Sequence, residues 1–249
     1  MSDAFIDKLL TGQTRNALGQ PLGLPLSDWR GCSKPSPVTL SGRYCRLEAL
    51  SVSHAADLWA ANGLDVDGAI WSYLGYGPFA EAADYQRWVD SMSGLADPLF
   101  YAIVDGVSGK AVGVASYLRI DAANGVIEVG HLNYSPLLQR TPAATEAMYL
   151  MMRQAFELGY RRYEWKCNAL NLPSRRAAER LGFQFEGLFR QMMVIKGHNR
   201  DTAWYSLLDS EWPVVRACLE QWLAEDNFDA AGRQRQSLMA MMRAARQTQ

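Results

Sequence analysis

The pattern of apolar and polar positions is most informative between Gly125 and Leu158, where a short apolar run is followed by a stripe with helical spacing. The run Val126–Tyr134 is interrupted by one carboxylate, Glu128, and predicts a strand. After a turn with Ser135 and Pro136, small and apolar residues recur at i, i+3, i+4, i+7 and i+11, namely Ala144, Ala147, Met148, Met151 and Ala155. That spacing forms one face of a helix. The stretch therefore predicts a strand, a turn and a helix.

The turn residues support this helix start. The hydroxyl of Thr141 can accept a hydrogen bond from a backbone N–H one turn later, and Pro142 suits the first helical position. Glu146 then lies near the positive end of the helix dipole. A helix start that follows a strand is a candidate anion site. The alternative is an ordinary strand-to-helix connection.

The remaining pattern predicts strands and helices on both sides of this unit. Two hairpin turns, at 105–109 and 121–125, make an antiparallel meander that leads into the strand with Glu128. A polar turn is predicted at 196–199. The other predicted strands lie within 38–50, 99–104, 111–120, 162–167, 183–195 and 201–208. One further helix is predicted to be capped by Ser51 or Ser53 and to end before Asn62, and the others span 80–92, 171–181, 212–223 and 234–246.

Two stretches do not fit the regular pattern. Residues 1–37 hold a short helical segment at 5–10 and then many Gly and Pro residues, which predict an irregular arm. Its leucines are too apolar for a free tail, so we expect the arm to pack on the body or on a second subunit. The loop 64–79 is rich in aromatic residues, which form either core or the wall of a substrate pocket.

Composition and charge narrow the class of protein. The 249 residues include 25 Lys and Arg and 26 Asp and Glu, and this balance offers no basic field for nucleic acid. No apolar run approaches the ~20 residues that span a bilayer, so we expect no membrane association. The four cysteines are scattered, which predicts a reducing cytoplasm and neither a disulfide framework nor a metal site.

The order of elements and five phrases resemble the RimJ/RimL-like branch of the GNAT superfamily of N-acetyltransferases. The phrases are IEVGH (127–131), LQRTPAATEA (138–147), LGYRR (158–162), NLPSRRAAERLGF (171–183) and EGLFR (186–190). The resemblance implies an α/β GNAT fold, with a mixed seven-stranded twisted sheet flanked by helices. It implies an N-terminal arm at 1–37, an acetyltransferase domain at 38–212 and a C-terminal helical extension at 213–249.

The resemblance implies that the turn before the predicted helix binds the pyrophosphate of acetyl-CoA, with no metal required. Gln139 and Ala144 match the first and last positions of the family pattern Q/R-x-x-G-x-G/A, whereas Pro142 replaces its first glycine and removes one N–H donor. The amides of Thr141, Ala143, Ala144 and Thr145 remain as donors. Arg140 can add a charge-assisted contact.

The next predicted helix begins with the family's N-x-x-S. Asn171 then contacts the pantetheine arm, and Ser174 lies near the thioester sulfur and protonates the leaving thiolate. The alternative is that Asn171 caps the helix and Ser174 only fills its first turn. Arg175, Arg176 and Arg180 form a basic cluster, in which Arg176 is our candidate for the CoA 3′-phosphate and solvated surface is the alternative.

Acetyl transfer to an amine needs a base, because a free alkyl ammonium has a pKa of about 10. Glu128 is the first candidate, since desolvation in an apolar strand favours the neutral carboxyl; the alternative is an edge position or a pair with an Arg. His131 is the second candidate for the base, because imidazole titrates in the useful pH range. The alternative is that His131 is a hydrogen-bonded histidine with a packing role. Glu164 and Tyr134 are weaker candidates.

The reaction also needs a donor for the oxyanion, which the resemblance places on the backbone of the Glu128 strand, at Leu132, Asn133 and Tyr134. The predicted turn Lys196–Asn199 and Arg200 occupy a place that often borders the acceptor site in this fold.

Together these observations predict an enzyme that moves an acetyl group from acetyl-CoA to a primary amine of a small molecule or a protein N-terminus. A non-catalytic acyl-CoA-binding module is the alternative, motivated by Pro142 alone. The arm and the Met-rich C-terminal helix are candidates for a homodimer surface.

Overall fold

The structure, a computed structural model, describes residues 12–247. The chain divides into two compact units, Met1–Gly31 and Cys32–Gln249. The described part of the first unit contains two short antiparallel strands, β1 (Thr14–Arg15) and β2 (Pro21–Leu22), where the sequence predicted no regular structure. The helix predicted at 5–10 lies outside the described residues. The packing of the arm on the body stays a prediction.

The second unit is built on one eight-stranded mixed sheet with the order β3-β4-β5-β6-β7-β8-β10-β9. Neighbouring strands are antiparallel except β7 and β8, which are parallel. The strands are β3 (Leu40–Ser41), β4 (Cys45–Ala49), β5 (Leu99–Asp105), β6 (Ala111–Asp121), β7 (Val126–Tyr134), β8 (Arg162–Asn168), β9 (Gln184–Ile195) and β10 (His198–Leu208). The predicted meander and the α/β class are confirmed.

Six α-helices in the described chain flank the sheet. They are α1 (Ala55–Asn62), α2 (Ala82–Met92), α3 (Pro142–Glu157), α4 (Leu172–Arg180), α5 (Trp212–Leu223) and α6 (Leu238–Gln247). The stripe predicted for α3 is its packing face, since Ala147, Met148, Met151 and Ala155 are all buried.

The predicted count of seven strands is one short, because the first predicted strand folds into two. Gly42 turns the chain between β3 and β4, and the Glu146 carboxylate accepts hydrogen bonds from the backbone N–H groups of Arg43 (2.8 Å), Tyr44 (2.6 Å) and Cys45 (2.8 Å). A Cβ at position 42 would clash with the Glu146 carboxyl group, so a side chain there would have to displace this carboxylate from the turn. Glu146 thus links the turn to α3, which is a role in addition to the predicted one near the positive end of the helix dipole.

The last hairpin turn is shorter than predicted. Lys196 and Gly197 both have positive φ, and this pair alone reverses the chain. His198 and Asn199, predicted as turn residues, instead begin β10 and pair with Ile195 and Val194. Arg200 is therefore a strand residue, and the alternation of side chains along β10 determines which face of the sheet its side chain is on.

The two faces of the sheet are covered differently. On one face α3, α5 and α6 pack on inward residues such as Ile127, Tyr163 and Tyr205. On the other face α1, α2 and the loop after α1 pack on β5 and β6 through Leu58, Tyr85 and neighbouring aromatic residues. The second core cluster includes no residue of β8, β9 or β10. That half of the second face carries polar side chains.

β7 and β8 separate partway along their length. Their paired positions run only from Val126 with Arg162 to Val129 with Trp165. At the same level, β7 carries a bulge opposite β6, where His131 has a φ of 49° and the register shifts between Gly130 and Asn133. The separation leaves the β8-facing edge of Gly130–Tyr134 without a strand partner in the described chain. It opens a gap in the sheet just before α3 begins.

Candidate active site

A cavity of about 1500 Å³ lies at this gap. It is lined by the β7 segment from Glu128 to Leu132, the start of α3, the end of β8 and the start of α4. Met192, Ile195 and Arg200 of the last hairpin also line it. Of the residues proposed from the sequence for catalysis or cofactor binding, the following line the cavity: Glu128, His131, Leu132, Tyr134, Gln139, Arg140, Thr141, Ala144, Thr145, Asn171, Ser174 and Arg176. Asn133 and Ala143 are buried and do not line it.

The helix start forms as the turn chemistry predicted. Thr141 is the N-cap of α3, and its hydroxyl accepts a hydrogen bond from the Ala144 N–H (3.3 Å), while Pro142 occupies the first turn. The Gln139 side chain is turned back, since its amide donates to the Tyr134 carbonyl (2.8 Å). The first N–H groups of a helix have no backbone partner within it, but two of the amides predicted as phosphate donors are occupied here: that of Ala144 by this cap, and that of Thr141 by the Leu138 carbonyl (3.3 Å). Pro142 therefore removes one donor and keeps the helix end intact.

One cation that contacts this helix start is Arg180, which the sequence placed in the basic cluster but did not select as the cofactor-binding residue. Its guanidinium donates to the Thr145 hydroxyl (3.0 Å) and lies 4.7 Å from the ring centre of Trp222. Burial lowers the pKa of Arg180 from its ordinary value, and no carboxylate contacts it in the described chain. Arg176 also lines the cavity, but it is exposed.

The C-terminal extension contributes a wall of the same cavity. Trp222, Phe228 and Arg233 line it, and the Trp222 indole N–H is held by the Gln234 side chain at 2.8 Å. The sequence placed these residues outside the acetyltransferase domain. No local motif marks them, because their position depends on how α5 packs on the sheet.

The start of α4 shows the structural roles that the sequence left open as alternatives. The Asn171 side chain caps the helix by accepting from the Ser174 N–H (3.1 Å). The Ser174 hydroxyl accepts from the indole N–H of Trp165 (3.1 Å), which fixes the hydroxyl oxygen at the cavity wall. Both residues line the cavity, so capping and ligand contact are compatible.

Glu128 is buried at 3% exposure and is held by two cations. Its Oε2 contacts the Arg119 guanidinium at 2.7 Å and the Lys166 ammonium at 2.8 Å. This is the paired arrangement that the sequence left open. Both cations contact the same oxygen, and Oε1 has no partner among the described residues. The carboxylate is thus fixed through one oxygen, with the other available to a molecule in the cavity.

Glu164 lies opposite Glu128 on β8 and belongs to the same network. It contacts Lys166 (2.8 Å) and Arg162 (2.7 Å), and the network extends to Glu186. Burial opposes ionisation of Glu164, but the bonds from Lys166 and Arg162 outweigh it and lower its pKa. Glu164 does not line the cavity, which disfavours it as a base.

His131 lines the cavity on the bulge, with its Nδ1 2.8 Å from the Ser116 hydroxyl and its ring stacked near Phe100 (4.9 Å). Burial, together with the nearby Arg119 charge, lowers the pKa of His131 to about 4. The imidazole is therefore neutral at physiological pH. Burial also raises the pKa of the Tyr134 phenol above its ordinary value, so the hydroxyl stays protonated.

The aromatic loop supplies both core and wall. Trp71 is buried and packs edge-on against Phe79 and Tyr85, whereas Tyr73 and Tyr76 line the cavity. Both roles that the sequence left open, core packing and a cavity wall, are therefore found in this loop.

The described residues contain neither a metal-binding cluster nor a membrane-spanning helix. No group of three or more His, Cys, Asp or Glu side chains within residues 12–247 is placed to hold a metal ion. No helix in that part of the chain is long and apolar enough to cross a membrane.

Comparison with known proteins gives consistent matches. Residues 45–184 match the family described as Acetyltransferase (GNAT) domain. The crystal structure of a GCN5-related N-acetyltransferase from Brucella melitensis is 49% identical, with a TM-score of 0.86, covering 88% of this chain and all of that one. A GNAT-family structure from Chromobacterium violaceum ATCC 12472 is 40% identical, with a TM-score of 0.72, covering 78% of this chain and 98% of that one. YdaF of Bacillus subtilis (strain 168), whose name proposes a ribosomal N-acetyltransferase, is 28% identical over 130 residues, which are 52% of this chain and 67% of YdaF.

Proposed function

The chain belongs to the GNAT family of acetyl-CoA-dependent acyltransferases, and we propose that it transfers the acetyl group to a primary amine with Glu128 as the general base. The acceptor is an amine of a small molecule or a protein N-terminus. The observation that carries the proposal is the continuous cavity, which joins the start of α3 to the free Oε1 of Glu128 through the gap between β7 and β8.

The residues at the start of α3 fit the anionic end of acetyl-CoA. Free N–H groups at a helix N-terminus and the helix dipole both favour phosphate. Arg140 and Arg180 line the cavity beside them, and neither contacts a carboxylate in the described chain. An arginine without an acidic partner at a helix start is available to phosphate oxygens. When bound, acetyl-CoA supplies the acetyl group as a thioester.

Glu128 accepts the proton that the acceptor ammonium must lose before it can attack. Its Oε2 is anchored by Arg119 and Lys166, so Oε1 keeps a constant direction toward the cavity. Positioning of this kind matters as much as basicity for a general base. His131 is uncharged at pH 7 and lies three residues after Glu128, on the bulge of β7. We assign it to packing and orientation at the end of the cavity that holds the acceptor.

Two further groups of the chain complete the proposed chemistry. Backbone N–H groups on the unpaired edge of Gly130–Tyr134 stabilise the negative charge that develops on the carbonyl oxygen. Ser174, whose oxygen is held by Trp165, donates its proton toward the leaving sulfur. The alternative, a binding module without catalysis, was motivated by Pro142 alone. Because the helix start after Pro142 is intact, this motivation is weakened, and we favour the enzyme.

Two linked measurements test the proposal. Calorimetric titration with acetyl-CoA, using desulfo-CoA and adenosine as controls, should show binding that requires the pyrophosphate. Adding an amine panel should then release free thiol. Binding without thiol release for any amine would favour the non-catalytic module, and absence of binding would contradict the cofactor site.

The motifs quoted above and the YdaF match support the RimJ/RimL-like branch. The cysteines at positions 32, 45, 167 and 218 are all free, which supports our proposal of a reducing cytoplasm.

A further inference from the structure

The polar half of the second sheet face carries an arginine, Arg200, that forms no ion pair with any residue in 12–247. Arg200 and Thr202 lie on β10, and by the strand register Thr202 and Trp204 face the same side as Asn168 and Lys166 of β8. This is the Glu128 side of the sheet, because Lys166 contacts Glu128 directly. Ala203 and Tyr205, in between, face the opposite core with α3.

Other cations near this end of the cavity already have partners. Arg119 contacts Glu128, Lys166 contacts both glutamates and lies 3.8 Å from the Trp204 ring centre, and Lys196 donates to the Trp71 carbonyl (2.7 Å). The Arg200 guanidinium has no hydrogen bond or ion pair with the described residues. Its Nε is buried without an acceptor.

The surroundings make this an unfavourable place for a cation. Burial lowers the pKa of Arg200; Cys167 and Glu128 act in the opposite direction, and Arg119 adds repulsion. An arginine in a protein keeps its charge, so its lost hydration must be replaced by some other group.

Thr202 adds a second unpartnered group at the same place. It is 3% exposed, and its buried hydroxyl has no hydrogen-bond partner. Both side chains line the cavity. Buried polar atoms are nearly always paired, so two adjacent exceptions facing one cavity indicate a missing ligand oxygen.

We propose that the acceptor amine carries an anionic group, a carboxylate or a phosphate, that Arg200 binds with help from the Thr202 hydroxyl. This inference rests on the proposed acetyl transfer, and it narrows the acceptor to small amines bearing such an anion. The phosphates of acetyl-CoA do not supply this anion, since the helix start that we assign to them belongs to α3, on the other face of the sheet. Arg200 and Thr202 are therefore specificity-determining residues.

The test compares pairs of amines that differ only in the anion. Phosphoethanolamine is compared with ethanolamine, and β-alanine with its amide, by calorimetry on the protein saturated with CoA so that no turnover occurs. In the wild type, the anionic member should bind about 10-fold or more tightly, as expected for one charge-assisted hydrogen bond. Arg200→Gln should reduce this ratio to near one, and Thr202→Val should reduce it less.

Arg190→Gln is the matched control, because Arg190 is exposed on the neighbouring strand and does not line the cavity. It should leave the ratio unchanged. The inference would be overturned if, in the wild type, both pairs gave an affinity ratio near one, or if none of the four amines bound. It would also be overturned by a preference for the anionic amine that Arg200→Gln does not alter.

The first titration with CoA keeps the two proposals separate. If CoA does not bind, the proposed function fails, and the amine comparison is made on the free protein. If CoA binds and thiol release occurs equally with charged and neutral amines, the function stands and only the anion preference is wrong.

Discussion

Replacing Arg180 by glutamine removes a partly buried cation that contacts Thr145 at the start of α3. Arg180 donates to Thr145 at 3.0 Å and has no acidic partner in the described chain. A hydrogen bond from a charged donor contributes ~1.5–3 kcal/mol, and each 1.4 kcal/mol is about tenfold in affinity. We therefore expect Arg180→Gln to raise the Kd for acetyl-CoA about 10- to 100-fold, measured by calorimetry.

The same change also weakens the protein, and this effect must be measured separately. The contact with the Trp222 ring, at 4.7 Å, contributes ~0.5–1 kcal/mol. Loss of the Thr145 bond, which has the same charged donor, adds ~1.5 kcal/mol, the lower end of the range given above. Urea unfolding should thus show a decrease in stability of about 2 kcal/mol, which leaves most of the protein folded in the binding assay.

Arg176→Gln is the matched comparison, because Arg176 lines the same cavity but is exposed. Solvent screens an exposed charge, so this variant should change the Kd less than about fivefold. An Arg180→Gln protein that is folded and binds acetyl-CoA with wild-type affinity would refute the reasoning. A larger loss in Arg176→Gln than in Arg180→Gln would do the same.

Three further predictions concern the network and the strands around the cavity. Lys166→Met should destabilise the protein by ~3–5 kcal/mol in urea unfolding, because Glu128 and Glu164 then face each other with one buried cation fewer; a loss under 1 kcal/mol would contradict this. Glu146→Ala should cost about 3 kcal/mol, since it leaves the three N–H groups of the turn before β4 without their acceptor, and an unchanged unfolding midpoint would be the contrary result. The pKa of His131 is about 4 in the folded protein and 6.5 in the unfolded chain. As the pH is lowered, the unfolded chain therefore binds the proton before the folded protein does, and the free energy of unfolding decreases between about pH 6.5 and pH 4. Compared with His131→Asn, the wild type should lose about 2–3 kcal/mol more between pH 7.5 and 4.5, and parallel pH profiles would rule this out.

The parts of the site that the sequence predicted are those with local causes. The strand, turn and helix around Thr141 and Pro142 follow from apolar spacing and capping chemistry, which act over a few residues. The cap formed by Asn171 follows from the same chemistry. The hairpin at Lys196 was predicted too long, because a two-residue turn with positive φ at both positions cannot be separated from its polar neighbours by composition.

The parts that the sequence did not predict depend on packing between distant segments. Arg180 gains its role from Trp222, whose helix lies outside the predicted acetyltransferase domain. For Glu128 the sequence left open a pair with an arginine, but it identified neither Arg119 nor Lys166, which reach the carboxylate from the two neighbouring strands. That Arg200 has no ion-pair partner among the described residues can be recognised only when the partners of the neighbouring cations are known.

The most direct test of the central claim compares Glu128→Gln with Glu164→Gln. Both variants remove one negative charge from Lys166, but only Glu128 lines the cavity. With an acceptor amine and acetyl-CoA, we predict that thiol release by Glu128→Gln falls about 100-fold or more across the pH range. We predict that its Kd for acetyl-CoA stays within about twofold of wild type, and that Glu164→Gln loses stability while keeping most of its turnover. Wild-type turnover in folded Glu128→Gln, or an equal loss of turnover in both variants, would contradict the assignment of Glu128 as the base.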